Sequence, residues 1–191
     1  MKTKRIVVGI TGASGVILGI RVLEELRRLE METHLVMSQW AERTIQLETD
    51  YSVEQIRSLA SVCHPIDDLA ASISSGSFHT DGMVIVPCSM KTLAAIACGF
   101  SYNLLARAAD VTIKERRRLV LVPRETPLSS IHLHNMVTLA NNGVILVPPC
   151  VGFYIRPANV DMIVNHLAGK ILDALGIENQ IFSRWEGVRE N

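Results

Sequence analysis

Gly9-Ile-Thr-Gly12-Ala13-Ser14-Gly15 follows a short apolar run, Ile6-Val7-Val8, and leads into a helix-like stretch. Glycines in such a loop let the backbone approach an anion, and the start of a helix adds free N–H groups and a positive dipole end. The spacing is GxxGxxG, not GxGxxG, and no Gly-Lys-Ser/Thr follows, so this is not a P-loop. A tight turn with close helix–sheet packing accounts for the same residues. Pro87-Cys88-Ser89-Met90-Lys91-Thr92 repeats the arrangement after a later apolar run, with a helix-capping loop as its alternative. Ser38 ends the second apolar run, where an NAD-binding unit carries an acid for the ribose hydroxyl. That favours a mononucleotide, although Ser38 equally suits the N-cap of the next helix. Arg124-Glu125 follows the run Leu119–Val122 directly. There an arginine can hold a phosphate in its fork while the adjacent acid relays protons; elsewhere the pair is an ordinary salt bridge.

Other polar clusters are less pointed. Ser74-Ser75-Gly76-Ser77 has anion-binding composition, as many surface loops do. Lys114-Glu115-Arg116-Arg117-Arg118 reads as a solvated helix end, since the chain carries 19 Lys+Arg against 19 Asp+Glu and so lacks the basic excess of a nucleic-acid binder. His132 and His134 stand two apart in a helical stretch and face different ways, so no metal site is expected. Cysteines 63, 88, 98 and 150 form no CxxC pair and read as reduced thiols of a cytoplasmic protein.

These residues need elements to position them. Ile6–Val8, His34–Met37, Met83–Val86, Leu119–Val122 and Val144–Val147 read as strands. The spacing predicts helices over Gly15–Arg28, from Ser38 to about Leu47, and over Ser52–Val62, Thr92–Cys98, Asn103–Arg116 and Ser129–Ala140, with a last one whose apolar positions run from Val160 to Leu175. Asn141-Asn142-Gly143 is a helix stop, and Cys63–Thr80 is the least regular stretch. Strands alternating with helices predict one α/β domain over 1–191, an open parallel sheet with helices on both faces, flavodoxin- or Rossmann-like. Ligands in such sheets sit beyond the carboxyl ends of the strands, at Gly9–Gly15, Ser38, Pro87–Thr92, Pro123–Glu125 and Pro148–Pro157.

The 191 residues suffice for one domain with a real core. Hydrophobic residues make up 48% of the chain while aromatics make up 5%, as a helix-covered parallel sheet requires. Such an apolar, neutral chain is expected to bury part of its surface between subunits. Thr11, Ser14 and three glycines interrupt the one stretch resembling a signal peptide, and no apolar run reaches the ~18 residues of a membrane span.

The segments TGASG, SSGS, PCSMKTLA, RAADVTIKERRRLVLVPRETPLSSIHL, GFYIRP and the terminal RW resemble the UbiX/Pad1 family of flavin prenyltransferases, in order, from Ile6 to about Trp185. The resemblance implies binding of reduced FMN and dimethylallyl phosphate, and closure of a new ring from the prenyl group across flavin N5 and C6. The product would serve a UbiD-type or phenolic-acid decarboxylase. Carried over by motif, Gly12, Ala13, Ser14, Ser38, Ser89, Met90, Lys91, Thr92 and Arg124 would hold FMN. Tyr154 and Lys170 would bind the prenyl phosphate, with Ser75, Arg107 and Lys114 nearby, and Trp185 would help close the site. Ser14, Glu48, Glu125 and Lys114 would assist catalysis, Glu48 and Glu125 as acids for phosphate departure and proton movement. The family's homo-dodecamers, with the segment from about 176 packing on a neighbouring subunit, would absorb the apolar excess.

Departures from the family pattern are Lys170 where arginine is common, His134 where glutamate is usual, Leu69 where some members carry tryptophan, and Ile155 where histidine or asparagine is common. A non-catalytic flavin-binding subunit of an aromatic-acid decarboxylase is the alternative. The related cysteine decarboxylases fit less well, for their active-site histidine and PxMNxxMW-like signature are not found.

Overall fold

The structure, a computed structural model, describes residues 4–185 and Gly187. Six parallel strands form one sheet in the order β3-β2-β1-β4-β5-β6: β1 (Arg5–Ile10), β2 (Glu32–Met37), β3 (Val62–His64), β4 (Gly82–Cys88), β5 (Leu119–Pro123) and β6 (Ile145–Leu146). Order and direction match the doubly wound sheet that binds ligands where the strand order reverses, here between β1 and β4.

Period-two alternation sends neighbouring residues to opposite faces. Val84, Val86, Val120 and Val122 face one core, with α1 (Val16–Arg28), α2 (Gln39–Glu48), α3 (Val53–Leu59) and α7 (Val160–Leu175) over it. Met83, Ile85, Leu119 and Leu121 face the other, beneath α4 (Met90–Ala97), α5 (Leu104–Lys114) and α6 (Ser130–Asn141). The fully buried Leu23 and Leu26 of α1 contribute about 1.5–3 kcal/mol each. No described helix is long and apolar enough to cross a membrane.

The stretch Ser52–Val62 departs from its sequence reading. Its helix stops at Leu59, and Val62–His64 becomes the edge strand β3, paired in parallel with β2. A capping box starts that helix: Ser52 accepts from the Gln55 amide while the Gln55 side chain accepts from the Ser52 amide. The irregular stretch that follows contains one 3₁₀ turn, Ser72–Ser74.

At the amino ends of the strands, Arg5 grips Glu32 with two hydrogen bonds of 2.7 and 3.0 Å. Buried His34 reaches the same carboxylate through Nε2 at 3.0 Å and stacks on His64, its Nδ1 2.9 Å from that ring's Nε2. The Arg5 hydrogen bond, and then that of His34, pull the Glu32 pKa from 4.5 down to about 2. A depressed carboxylate stabilises the fold fully above its unfolded pKa and loses that contribution as pH falls through the folded one. Glu32→Gln should therefore lower the urea midpoint at neutral pH, with the gap to wild type closing between about 4.5 and about 2. Parallel urea titrations across this range check it; a pH-independent gap would assign the cost to packing.

Candidate functional site

The loops after β1 and β4 part to opposite faces of the sheet, and Thr11 joins them. Its amide and hydroxyl both donate to the Pro87 carbonyl, at 3.2 and 2.8 Å, and its hydroxyl oxygen accepts from the Ser89 amide at 2.8 Å. The bond from the Thr11 hydroxyl to Pro87 is screened from water, since Thr11 is buried at the end of β1, while the bond from Ser89 is part-buried.

Two glycines shape the first loop for different reasons. Gly15 starts α1 with φ of +96°, a left-handed state that suits a residue without Cβ. At Gly12 the constraint is contact, because a Cβ there would lie 2.3 Å from the Cβ of Trp40 in the first turn of α2. Glu48, the last residue of α2, turns its carboxylate onto the start of α1, accepting from the Gly15 and Val16 amides at 2.8 and 3.4 Å. The first-turn amides that the motif offers to an anion are thus held by the chain's own acid, which is where a negative charge is favoured.

A cleft of about 380 Å³ opens beside this loop, lined by Ser14, Gly15, Pro87, Arg124, Pro149 and Leu167 among others. Arg124 spans it: its amide donates to the Cys88 carbonyl at 3.2 Å and its Nε to the Ser14 carbonyl at 3.3 Å. Glu125 is exposed beside it and accepts from the Thr126 amide at 3.0 Å. Ser38 and Ser89 do cap helices, accepting from the Ala41 and Thr92 amides at 3.1 and 3.3 Å. The capping reading holds for both, and both caps stand at carboxyl ends of strands. Met90 packs against the second core, and the exposed Lys91 ammonium lies 5.2 Å from the Tyr102 ring centre. Buried Cys88 has its thiol pKa pushed up by burial, so it stays protonated and serves packing.

A second group gathers at α7. Tyr154, in the 3₁₀ turn Phe153–Ile155, has its Oη 3.1 Å from Nε2 of His166. Trp185 stands edge-on to Tyr154 at 5.8 Å, and Phe182 edge-on to His166 at 5.2 Å. They line a cavity of about 350 Å³ with Met162 and Arg184. Lys170 lies one turn further along α7 and is exposed. Beyond α7 the chain folds back on its own helix: Phe182 covers Gly169, and Arg184 grips Asp173 at 2.7 and 2.9 Å.

Ser75, Arg107 and Lys114 form a third group. Arg107 donates to the Ser74 carbonyl at 3.1 Å and pairs with Asp110 at 2.6 Å, while the Ser75 hydroxyl meets that of Ser77 at 2.9 Å. Lys114 pairs with Glu115, which its hydrogen bond holds below the usual carboxylate range. Helix α5 starts at the carboxyl side of the sheet, where its Leu104 amide donates to the carbonyl of Ile66 beyond β3. It ends at the amino side, where the Arg118 carbonyl accepts from Met83 at the start of β4. Within one chain, Lys114 is therefore at the opposite end of the sheet from Ser14 and Arg124. The four cations Arg107, Lys114, Arg124 and Lys170 do not converge there.

Three residues escaped the sequence reading. Thr11 stood inside the glycine motif with nothing to mark its hydroxyl as the link between two loops. Trp40 explains Gly12 only once α2 is placed. His166 sits within the apolar periodicity of α7 and is 6% exposed, indistinguishable in sequence from a core position.

Comparison with known proteins supplies the context for this geometry. The family model described as Flavoprotein matches residues 1–184. A probable UbiX-like flavin prenyltransferase of Streptomyces sp. (strain D7) is 59% identical over 97% of this chain and 93% of its own length. The crystal structure of AnUbiX (PadA1) in complex with FMN and dimethylallyl pyrophosphate superposes with a TM-score of 0.97 at 53% identity, covering 98% of this chain and 100% of that one. A dodecameric FMN-dependent UbiX-like decarboxylase from Escherichia coli O157:H7 gives a TM-score of 0.94 at 53% identity, covering 96% of this chain and 100% of that one.

Removing the Thr11 hydroxyl tests the junction of the two loops. Thr11→Val keeps the shape but leaves the Ser89 amide without its acceptor, which should cost about 1–3 kcal/mol in urea unfolding. Gly12→Ala should cost a similar ~1–3 kcal/mol by driving a methyl into Trp40. A Trp40→Gly background, which removes the opposing Cβ, should recover part of the Gly12→Ala loss and none of the Thr11→Val loss.

Proposed function

Since the chain belongs to the flavoprotein family, and within it to the UbiX-like flavin prenyltransferases, we propose that it joins a dimethylallyl group from dimethylallyl phosphate to N5 and C6 of reduced FMN. The observation that carries this assignment is the cleft at the reversal of strand order, spanned by Arg124 from Cys88 to Ser14. The residues there suit FMN: Ser14, Ser38, Ser89 and Thr92 carry hydroxyls on the loops at the strand ends, and no described carboxylate pairs with Arg124. Gly12, Ala13, Ser14, Ser38, Ser89, Met90, Lys91, Thr92 and Arg124 are assigned to holding it. Reduced FMN supplies the electron-rich N5 and C6 to which the prenyl carbons bond.

This chain's residues then have separate tasks. Tyr154 and Lys170 hold the prenyl phosphate and stabilise the negative charge that grows on it as the C–O bond breaks. Glu48, on the first-turn amides of α1, lies beside Ser14 as the acid that assists that departure. Glu125 takes up the proton released on ring closure, relayed by the Ser14 hydroxyl. Met162, Phe182 and Trp185 exclude water that would otherwise intercept an allylic cation.

Ser75, Arg107 and Lys114 reach the prenyl phosphate from a neighbouring subunit of a homo-dodecamer. Three features support this: the place of Lys114 at the far end of the sheet, the dodecameric Escherichia coli relative, and large exposed apolar residues such as Trp40 (73% exposed), Ile131 (70%) and Phe153 (76%). The segment from about 176, expected to pack on a neighbouring subunit, packs instead on its own α7 as far as Trp185. The product passes to a UbiD-type decarboxylase, and the reduced cysteines suit work in the cytoplasm.

Anaerobic incubation with reduced FMN and dimethylallyl phosphate should give, by mass spectrometry, a prenylated flavin in multiple turnovers. Flavin binding without product would make the chain a non-catalytic flavin-binding subunit. Glu125→Gln should slow formation of the ring-closed product by about 10²-fold or more while FMN binding persists. For the shared site, Lys114→Ala and Tyr154→Phe variants, each weak alone, should regain activity when refolded together as mixed oligomers. No regain would confine the site to one chain.

A further inference from the structure

Tyr154 is the phenolic donor assigned above to the prenyl phosphate, and it is more than half exposed. Its hydroxyl is held by one side chain, the buried His166, whose Nε2 lies 3.1 Å away. The two rings meet edge to face at 5.8 Å and 84°. The backbone at position 152 is shaped for this contact: a Cβ there would fall 2.7 Å from Cε1 of Tyr154 and 3.3 Å from Cε1 of His166. Phe182 closes the far side of the imidazole, edge-on at 5.2 Å. A glycine, a buried imidazole and a closing aromatic therefore converge on the orientation of one exposed phenol.

The hydrogen bond has a direction that chemistry dictates. A phosphate oxygen accepts, so Tyr154 must donate its only proton outward to bind one. The imidazole must then donate Nε2–H to the phenol oxygen, which also makes the phenol proton more acidic. Burial, and next the charge of Lys170, lower the His166 pKa, so the ring is neutral and carries one donor and one acceptor. Other charged groups around it are already paired. Arg184 grips Asp173 on α7, and on the other side of the cavity Arg21 of α1 bonds Asp161 and Asn165. Lys170, whose charge acts on His166, has no ion-pair partner among the described residues.

We propose that His166 is a positioning residue for the prenyl donor: its neutral, Nε2-protonated form donates to Tyr154 and commits the phenol to donating toward the phosphate. His166 lines the same cavity and acts on the phosphate through Tyr154. The inference rests on the assignment of Tyr154 to the prenyl phosphate.

The test is a double-mutant cycle on the FMN-loaded oligomer, read by calorimetric binding of dimethylallyl phosphate and by steady-state kinetics. His166→Phe keeps an aromatic ring against Phe182 but removes the donor. It should raise Kd and KM for dimethylallyl phosphate about tenfold, with the FMN affinity and the elution volume of the oligomer unchanged. His166→Gln, which restores an N–H near the Nε2 position, should recover most of that loss. In a Tyr154→Phe background, His166→Phe should have no further effect. A normal Tyr154→Phe penalty to which the His166→Phe penalty simply adds would overturn this inference and leave the Tyr154 assignment standing. Wild-type binding by Tyr154→Phe would remove that assignment and the inference with it. A loss in His166→Phe that Gln does not relieve would reduce the histidine to packing.

Discussion

One threonine hydroxyl makes a cleft out of two diverging loops. Thr11 is the first residue beyond β1 on the side where the neighbouring β4 sends its chain to the opposite face. By donating to Pro87 and accepting from Ser89, its side chain stands in for the ladder that stops when the strands end. Ser89 is thereby fixed as the cap of α4, and Gly12–Ser14 are fixed as the opposite lip. Arg124 depends on both lips, since its amide bonds Cys88 and its Nε bonds Ser14. A water molecule between the lips would satisfy the same donors without holding the spacing. A direct bond sets the distance as well, and distance is what a rigid aromatic ligand requires.

Charge is distributed by the same logic. The chain is neutral overall, yet its cations fall into two sorts. Arg124 and Lys170, beside the two cavities, have no carboxylate partner among the described residues, while Arg107 and Lys114 hold Asp110 and Glu115 from their own or the adjoining turn. Partly exposed pairs of that kind are worth about 0–1 kcal/mol, so either cation can leave its partner for a phosphate at little cost. In the proposed shared site, the local pairing would keep them oriented until a second subunit brought a ligand within reach. A buried pair would hold them too firmly for that exchange.

How much was legible follows from what each feature depends on. The alternation of strands and helices, the parallel sheet and the sites at the strand ends rest on periodicity and turn chemistry, which a sequence displays directly. Strand β3 does not: it has three residues, Val62 and Cys63 are exposed, and a helical pattern runs into it from Ser52. Its pairing with β2 is a tertiary contact that local pattern does not encode. The glycine and serine motifs named the right loops but not the partners. Glu48 filling the α1 amides and Trp40 filling the space at Gly12 both come from α2, some thirty residues along the chain. Lys114 and Arg107 were readable as chemistry but not as geometry, because their distance from Arg124 depends on how α5 crosses the sheet, which local pattern does not encode.

That last point links the apolar surface to the reaction. An allylic carbon losing phosphate needs dense positive charge around the leaving group and dry, apolar walls around the carbon. A single small domain meets the two demands poorly, since concentrating cations in its own core carries a desolvation cost. Here the cations sit at the surface, at both ends of the sheet, with large apolar side chains such as Trp40, Ile131 and Phe153 exposed on the same molecule. Bringing two such surfaces together buries the apolar residues and removes water from between the cations in one step. The association energy then comes from hydrophobic area, and the charges need only face the ligand that neutralises them. An unusually apolar chain with no net charge is what the proposed divided site would demand, because a net charge on each copy would oppose the assembly proposed to complete it.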